Sequence, residues 1–163
     1  MEIKTKRLSL NLVNKDDYVD LLDLYQDKKV RQYLGGCLDE TSFKNKFKNM
    51  LISRPPEFFW SVKSKNEGFF LGLVSVDIYH NEKDYEVSYQ LKSSFWGQGY
   101  ALEAVSAAID FVFKKTELKL LYAETQEKNE SSVKLLKNIG MKQVKILKRF
   151  NEPQALYKIQ KTY

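Results

Sequence analysis

Phe95-Trp96-Gly97-Gln98-Gly99-Tyr100-Ala101 places two glycines between a strand-like run and a helix-like run, and this junction limits what the chain can fold into. Ahead of it, Tyr85-Glu86-Val87-Ser88-Tyr89-Gln90-Leu91 alternates, with Tyr85, Val87, Tyr89 and Leu91 on one face as in a half-buried strand. Behind it, Ala101, Leu102, Val105, Ala108, Ile109, Val112 and Phe113 recur at the three- and four-residue steps of one helix face. Without a Cβ, Gly97 and Gly99 can take positive φ and let several amide N–H groups converge on an anion, and the helix dipole adds to the attraction. The turn therefore points to a phosphate-bearing ligand, although a plain helix-start turn would carry the same two glycines. Two familiar phosphate signatures are excluded. No GxxxxGK[ST] occurs, and a dinucleotide fingerprint needs a third glycine where Leu102 stands. Glu124, which that fingerprint would use as a ribose ligand, does not rescue it.

At 163 residues the chain is expected to form one domain, residues 1–163, with a single core. Its composition, 43% apolar and 29% charged, is that of a globular rather than a disordered chain. The longest apolar run, Phe69 to Val76, is too short to span a bilayer and no secretory h-region opens the chain, so a cytoplasmic protein without a membrane partner is expected. One cysteine, Cys37, fits a reducing compartment and reads as a small buried apolar residue, and no metal site is expected. The net charge of +6 comes from scattered lysines with no zinc spacing or basic-helix stripe, so no nucleic-acid partner is expected.

A coarse pass gives an α+β order. Ile3 to Leu12 reads as one strand, followed by helices over Asp16 to Gln26 and Lys28 to Leu34. Asp39 or Thr41 can cap a third helix that ends before Pro55-Pro56. Strands follow near Phe58 to Lys63 and Phe69 to Tyr79, then the motif strand, its helix, a strand over Leu118 to Glu124, a helix from Asn129, and two strands around Asn151-Glu152-Pro153.

From Tyr85 to Met141 the chain resembles the GNAT superfamily of N-acetyltransferases, in particular its ribosomal-protein-alanine acetyltransferase (RimJ/RimL-like) branch. Three pieces in order carry the resemblance: Glu86 to Leu91; Trp96 to Ala101; and Asn129-Glu130-Ser131-Ser132 leading to Leu135-Leu136 and Gly140-Met141. Thr5-Lys6-Arg7-Leu8-Ser9-Leu10 with Asp16-Asp17 extends it to the N-terminus. The resemblance implies a mostly antiparallel sheet of six to seven strands, splayed between the fourth and fifth, with helices on both faces. It implies an acetyl-CoA-dependent enzyme, monomeric or homodimeric, that moves an acetyl group by direct attack to a primary amine.

By the same resemblance, Glu86 is the general base, Gln90 and Leu91 hold the pantetheine, and the amides of Trp96, Gly97, Gln98, Gly99, Tyr100 and Ala101 hold the pyrophosphate. Asn129 caps its helix and contacts coenzyme A, and Ser132 lies near the thiol as a general acid. The chain departs from the pattern at four positions. Leu136 replaces the tyrosine many relatives use as acid, Gln90 replaces a tryptophan, Ser88 a glycine, and Trp96 the arginine or glutamine that opens the turn elsewhere. His80 reads as a strand-end surface residue, and Tyr33, Phe43, Phe47, Trp60 and Phe150 as core. A coenzyme-A-binding protein without turnover and a basic nucleic-acid module remain as alternatives; the acceptor is open.

Overall fold

A computed structural model describes residues 1–163. The strands are β1 (Glu2–Lys4), β2 (Leu8–Leu12), β3 (Phe58–Ser64), β4 (Phe70–Ile78), β5 (Tyr85–Leu91), β6 (Leu120–Gln126), β7 (Lys142–Arg149) and β8 (Glu152–Gln160). The helices are α1 (Tyr18–Gln26), α2 (Lys28–Arg31), α3 (Glu40–Ile52), α4 (Tyr100–Lys115) and α5 (Glu130–Ile139). All eight strands form one sheet in the order β1-β2-β3-β4-β5-β6-β8-β7, a mixed α/β fold of the GNAT type. The expected count of six to seven strands is too low because Ile3 to Leu12 is not one strand: it folds back at Thr5, Lys6 and Arg7, pairing Ile3 with Leu10. Thr5 makes that reversal possible, since its N–H donates to the Leu8 carbonyl and its hydroxyl oxygen accepts from the Leu8 N–H at 2.9 Å.

The splay falls where expected, now between β5 and β6. Every other neighbouring pair is antiparallel, whereas β5 and β6 run parallel and pair only at Glu86 and Tyr122. Beyond that pair the strands diverge, leaving Val87–Leu91 and Ala123–Gln126 without a ladder between them. A parallel pair needs a crossover connection, here α4, whose apolar stripe of Ala104, Val105, Ala108, Ile109 and Val112 is buried on the larger core cluster. Trp60 is fully buried in that cluster, stacked on Phe58 at 5.0 Å and met edge-on by Phe111. A second cluster joins α1, α2 and α3 to Phe70 and Leu73 of β4. Asp39 caps α3 by accepting from the Ser42 N–H at 2.7 Å. The second helix is shorter than its pattern, ending at Arg31, whose carbonyl accepts from the Leu34 and Gly36 N–H groups as the chain turns, with Gly35 and Gly36 both at φ +85°. No helix is long and apolar enough to cross a membrane.

Candidate active site

The turn after β5 adopts the shape its glycines allow: φ is +73° at Gly97 and +80° at Gly99, and Gly99 is the N-cap of α4. The N–H groups from Gly97 to Leu102 have no acceptor in the protein, and Glu103 is the first to enter the helix ladder, donating to the Gly99 carbonyl. Orphaned amides at a helix start, with the dipole behind them, fit a pyrophosphate. Trp96 remains 45% exposed, with its indole Nε1 donating to the Leu91 carbonyl at 2.9 Å. The side chain that replaces the usual arginine thus ties the turn to the end of β5.

Glu86, Ser88 and Gln90 share one face of β5, and register places Asp77 directly across from Glu86 on β4. Glu86 makes no hydrogen bond and no ion pair. Burial, followed by the negative charges of Asp77 and Glu124, pushes its carboxyl up to about 8, against a weaker pull from Arg149 and Lys46. Asp77 is raised too, chiefly by burial, and accepts only from the Ser75 hydroxyl at 3.1 Å.

Glu124 behaves oppositely. Burial alone would raise it, but hydrogen bonds with Tyr79, His80 and Arg149 prevail and hold it below the usual carboxylate range. The Tyr79 hydroxyl donates at 2.7 Å, Arg149 Nη1 donates at 2.8 Å, and His80 Nε2 lies at 3.1 Å. His80 is exposed at a strand end, as expected, and from there it meets the buried Glu124 carboxylate. Two nearby carboxyl groups are pushed apart, one ionised and one protonated at neutral pH, the usual mark of divided acid–base duties.

On the same face Gln90 is buried, and its Oε1 accepts from Arg31 Nη1 at 3.2 Å. Arg31 is only 9% exposed, donates to the carbonyls of Gly36 and Leu34, and lies over Tyr25 at 4.8 Å. Burial lowers its pKa, and no carboxylate pairs with it.

Ser132 approaches β5 from the opposite face. Asn129 caps α5 as expected, accepting from the Ser132 N–H at 3.3 Å. The Ser132 hydroxyl oxygen accepts from the Tyr89 phenol at 2.7 Å, so its own proton is free to be given elsewhere. Leu136, one turn further, is 1% exposed in the core and offers no hydroxyl. The structure thus gathers Glu86 and Gln90 on one side of the β5 opening, Asn129 and Ser132 on the other, and the anion turn at its end.

Sequence reasoning missed Tyr89, Asp77 and Arg31, and weighed Glu124 only as a ribose ligand of the excluded dinucleotide fingerprint. Tyr89 was hidden in the apolar face of its strand, Asp77 and Glu124 become neighbours of Glu86 only through the assembled sheet, and Arg31 reaches Gln90 only when α2 packs on it. Phe43, Phe47 and Trp60 are core, but Phe150 is 61% exposed beside Arg149, at φ +55°. Cys37 is exposed rather than buried.

Comparison with known proteins identifies the family. The family model described as an acetyltransferase (GNAT) domain matches residues 7–142, and the chain belongs to that family. It is an acyltransferase whose family moves acetyl groups to amines. A Bacillus subtilis (strain 168) relative, the uncharacterized N-acetyltransferase YnaD, is 27% identical over 153 residues, covering 91% of this chain and 87% of its own. The spermidine N-acetyltransferase of Vibrio cholerae, solved with CoA and spermine, superposes with a TM-score of 0.84 at 18% identity over 96% of both chains. The ribosomal-protein-S5-alanine acetyltransferase of Vibrio fischeri gives 0.79 at 21% identity, covering 98% of this chain and 96% of that one.

Proposed function

We propose that residues 1–163 form one acetyl-CoA-dependent N-acetyltransferase domain, close in kind to the ribosomal-protein-alanine branch, that acetylates a primary amine. One observation carries this reading: the β5–β6 opening has the orphaned amides of residues 97–102 at one end and the partnerless Glu86 on its wall. Coenzyme A would lie with its pyrophosphate on the amides of Gly97 to Ala101, the Trp96 N–H expected among them being given to the Ser93 carbonyl at 3.2 Å, with its pantetheine along Gln90 and Leu91 and Asn129 beside it. When bound as its acetyl thioester, it supplies a carbonyl that an amine can attack.

The protein's own task is proton handling. An ammonium cannot attack, and a lysine-type amine titrates near 10.4 while an α-amino group titrates near 8. Ionised Glu86 removes one proton from the amine, directly or through a water, and an amide at Gln90 or Leu91 polarises the thioester carbonyl. Ser132, held in place by the Tyr89 phenol, gives its proton to the departing sulfur and takes up, directly or through a water, the second proton that the attacking nitrogen sheds as the amide forms, which restores its hydroxyl. By the family resemblance the amine attacks directly, with no acyl-enzyme. Asp77 beside Glu86 favours an acceptor that arrives protonated, which suits either a small-molecule amine or a protein N-terminus. The names of the two solved neighbours cover both kinds of acceptor.

Leu136 gives a second reading some weight: without the usual hydroxyl, the domain binds coenzyme A and does not turn it over. Incubating the protein with acetyl-CoA and a panel of small amines and peptide N-termini, while following free thiol, separates the two. An acceptor that raises thiol release well above hydrolysis supports the enzyme. Tight coenzyme A binding with no acceptor active supports the second reading.

A further inference from the structure

Arg7, in the reversal between β1 and β2, grips the glycine turn 91 positions further along the chain. Its Nη1 donates to the Gln98 carbonyl at 2.8 Å, and its Nε donates to Glu103 Oε2 at 2.7 Å. Its backbone N–H donates to Glu103 Oε1 at 2.8 Å, and the Thr5 hydroxyl donates to that same oxygen. The guanidinium lies 4.2 Å over the Tyr100 ring, and a Cβ built on Gly99 would stand 3.4 Å from Nη2. The turn is thus held on both sides of Gly99, at Gln98 before it and at Tyr100 and Glu103 after it. Burial would raise the Glu103 carboxyl, but its bonds to Thr5 and Arg7 keep it low and therefore ionised.

We propose that Arg7 is a positioning residue for cofactor binding: its fork, anchored on Glu103, holds the Trp96–Ala101 turn in its anion-receiving shape before any ligand arrives. The proposal rests on the reading that this turn receives the pyrophosphate of coenzyme A. Two glycines at positive φ leave the turn free to adopt many shapes, and freezing it at the moment of binding would subtract from affinity. Trp96 cannot supply the restraint alone, because its single donor is committed to Leu91. A guanidinium can span a carbonyl and a carboxylate at once; a lysine ammonium, as a point charge, cannot hold both in a fixed plane.

The test compares wild type with Arg7→Lys, Arg7→Met and Glu103→Ala, titrating coenzyme A calorimetrically and following amide exchange without ligand. Each variant is expected to weaken coenzyme A about tenfold or more and to speed exchange at residues 96 and 103, whose N–H groups bond the Ser93 and Gly99 carbonyls on either side of the turn, with the middle of α4 unaffected. Glu103→Ala decides the sign. It leaves the turn more positive, so a role through charge alone predicts tighter binding, whereas the strut predicts weaker binding. Wild-type affinity in Arg7→Lys, tighter binding in Glu103→Ala, or faster exchange with unchanged affinity would each overturn the proposal. A wild-type protein that fails to bind coenzyme A would overturn the reading of the turn instead, and the exchange arm would still judge the strut.

Discussion

At the scale of single residues, Glu86 combines a functional benefit with a stability cost. Its folded pKa, about 8, lies above the ordinary glutamate value of 4.5, so the folded state holds a proton that the unfolded chain has released between these values. Stability linked to Glu86 is fully present below about pH 4.5 and is lost as pH rises toward 8. Glu86→Gln removes that loss. In urea denaturation the variant should match wild type near pH 4.5 and exceed it near pH 8.5, and equal pH dependence in the two proteins would show that Glu86 is not strained by its neighbours. Ser132 is tested separately: Ser132→Ala should lower kcat by about 10²-fold with little change in KM for acetyl-CoA, the low end for a lost general acid. Tyr89→Phe, which removes only the donor to Ser132, should cost less. A Ser132→Ala enzyme as fast as wild type would assign proton return to water.

At the scale of elements, the anion turn and the close pairing of β4 with β5 depend on two glycines. A Cβ at Gly72 would lie 2.2 Å from the Gln90 carbonyl oxygen and 2.8 Å from the Leu91 Cα, both backbone atoms that cannot swing aside. Gly72→Ala should therefore destabilise by about 1–3 kcal/mol, as overpacking does, and displace the Gln90–Leu91 backbone. Wild-type urea stability would mean that the two strands separate at little cost. Gly99, at φ +80°, is strained by any side chain, and Gly99→Val should abolish protection by coenzyme A.

The elements also show how far sequence reading reached. The strand, turn and helix around Gly97 and Gly99 were legible because each has its own periodicity and the turn chemistry is local. Asn129 was legible as a cap for the same reason. The β1–β2 reversal was not, since Ile3 to Leu12 alternates without a glycine or proline, and what fixes the bend is Thr5 and Arg7 meeting Glu103 nearly 100 residues later. Asp77 opposite Glu86 and Arg149 on Glu124 were illegible for the same reason: register is a property of the assembled sheet.

For the whole molecule, the sheet opens where its one parallel pair gives out, and the two helical layers supply its opposite walls. Ligand in that opening ties β5, α4 and α5 together, so binding should register in global stability. At a hundredfold excess over Kd, coenzyme A should add about 2.7 kcal/mol, or roughly 5–11 °C in Tm for a domain of this size. An unchanged Tm at such an excess would mean that the ligand does not bind the folded protein.

The central claim is that Glu86, whose carboxyl is pushed up to about 8 by its own burial and then by the charges of Asp77 and Glu124, is the base for amine acetylation. The most direct measurement is the pH dependence of kcat/KM for wild type and Glu86→Gln, using an acceptor whose amine titrates well away from the Glu86 range. The wild-type rate should rise with an apparent pKa near 8 and the variant should lack that limb, falling furthest below wild type above it. The same limb in both proteins, with rates lowered equally at every pH, would contradict the account and take the base role from Glu86.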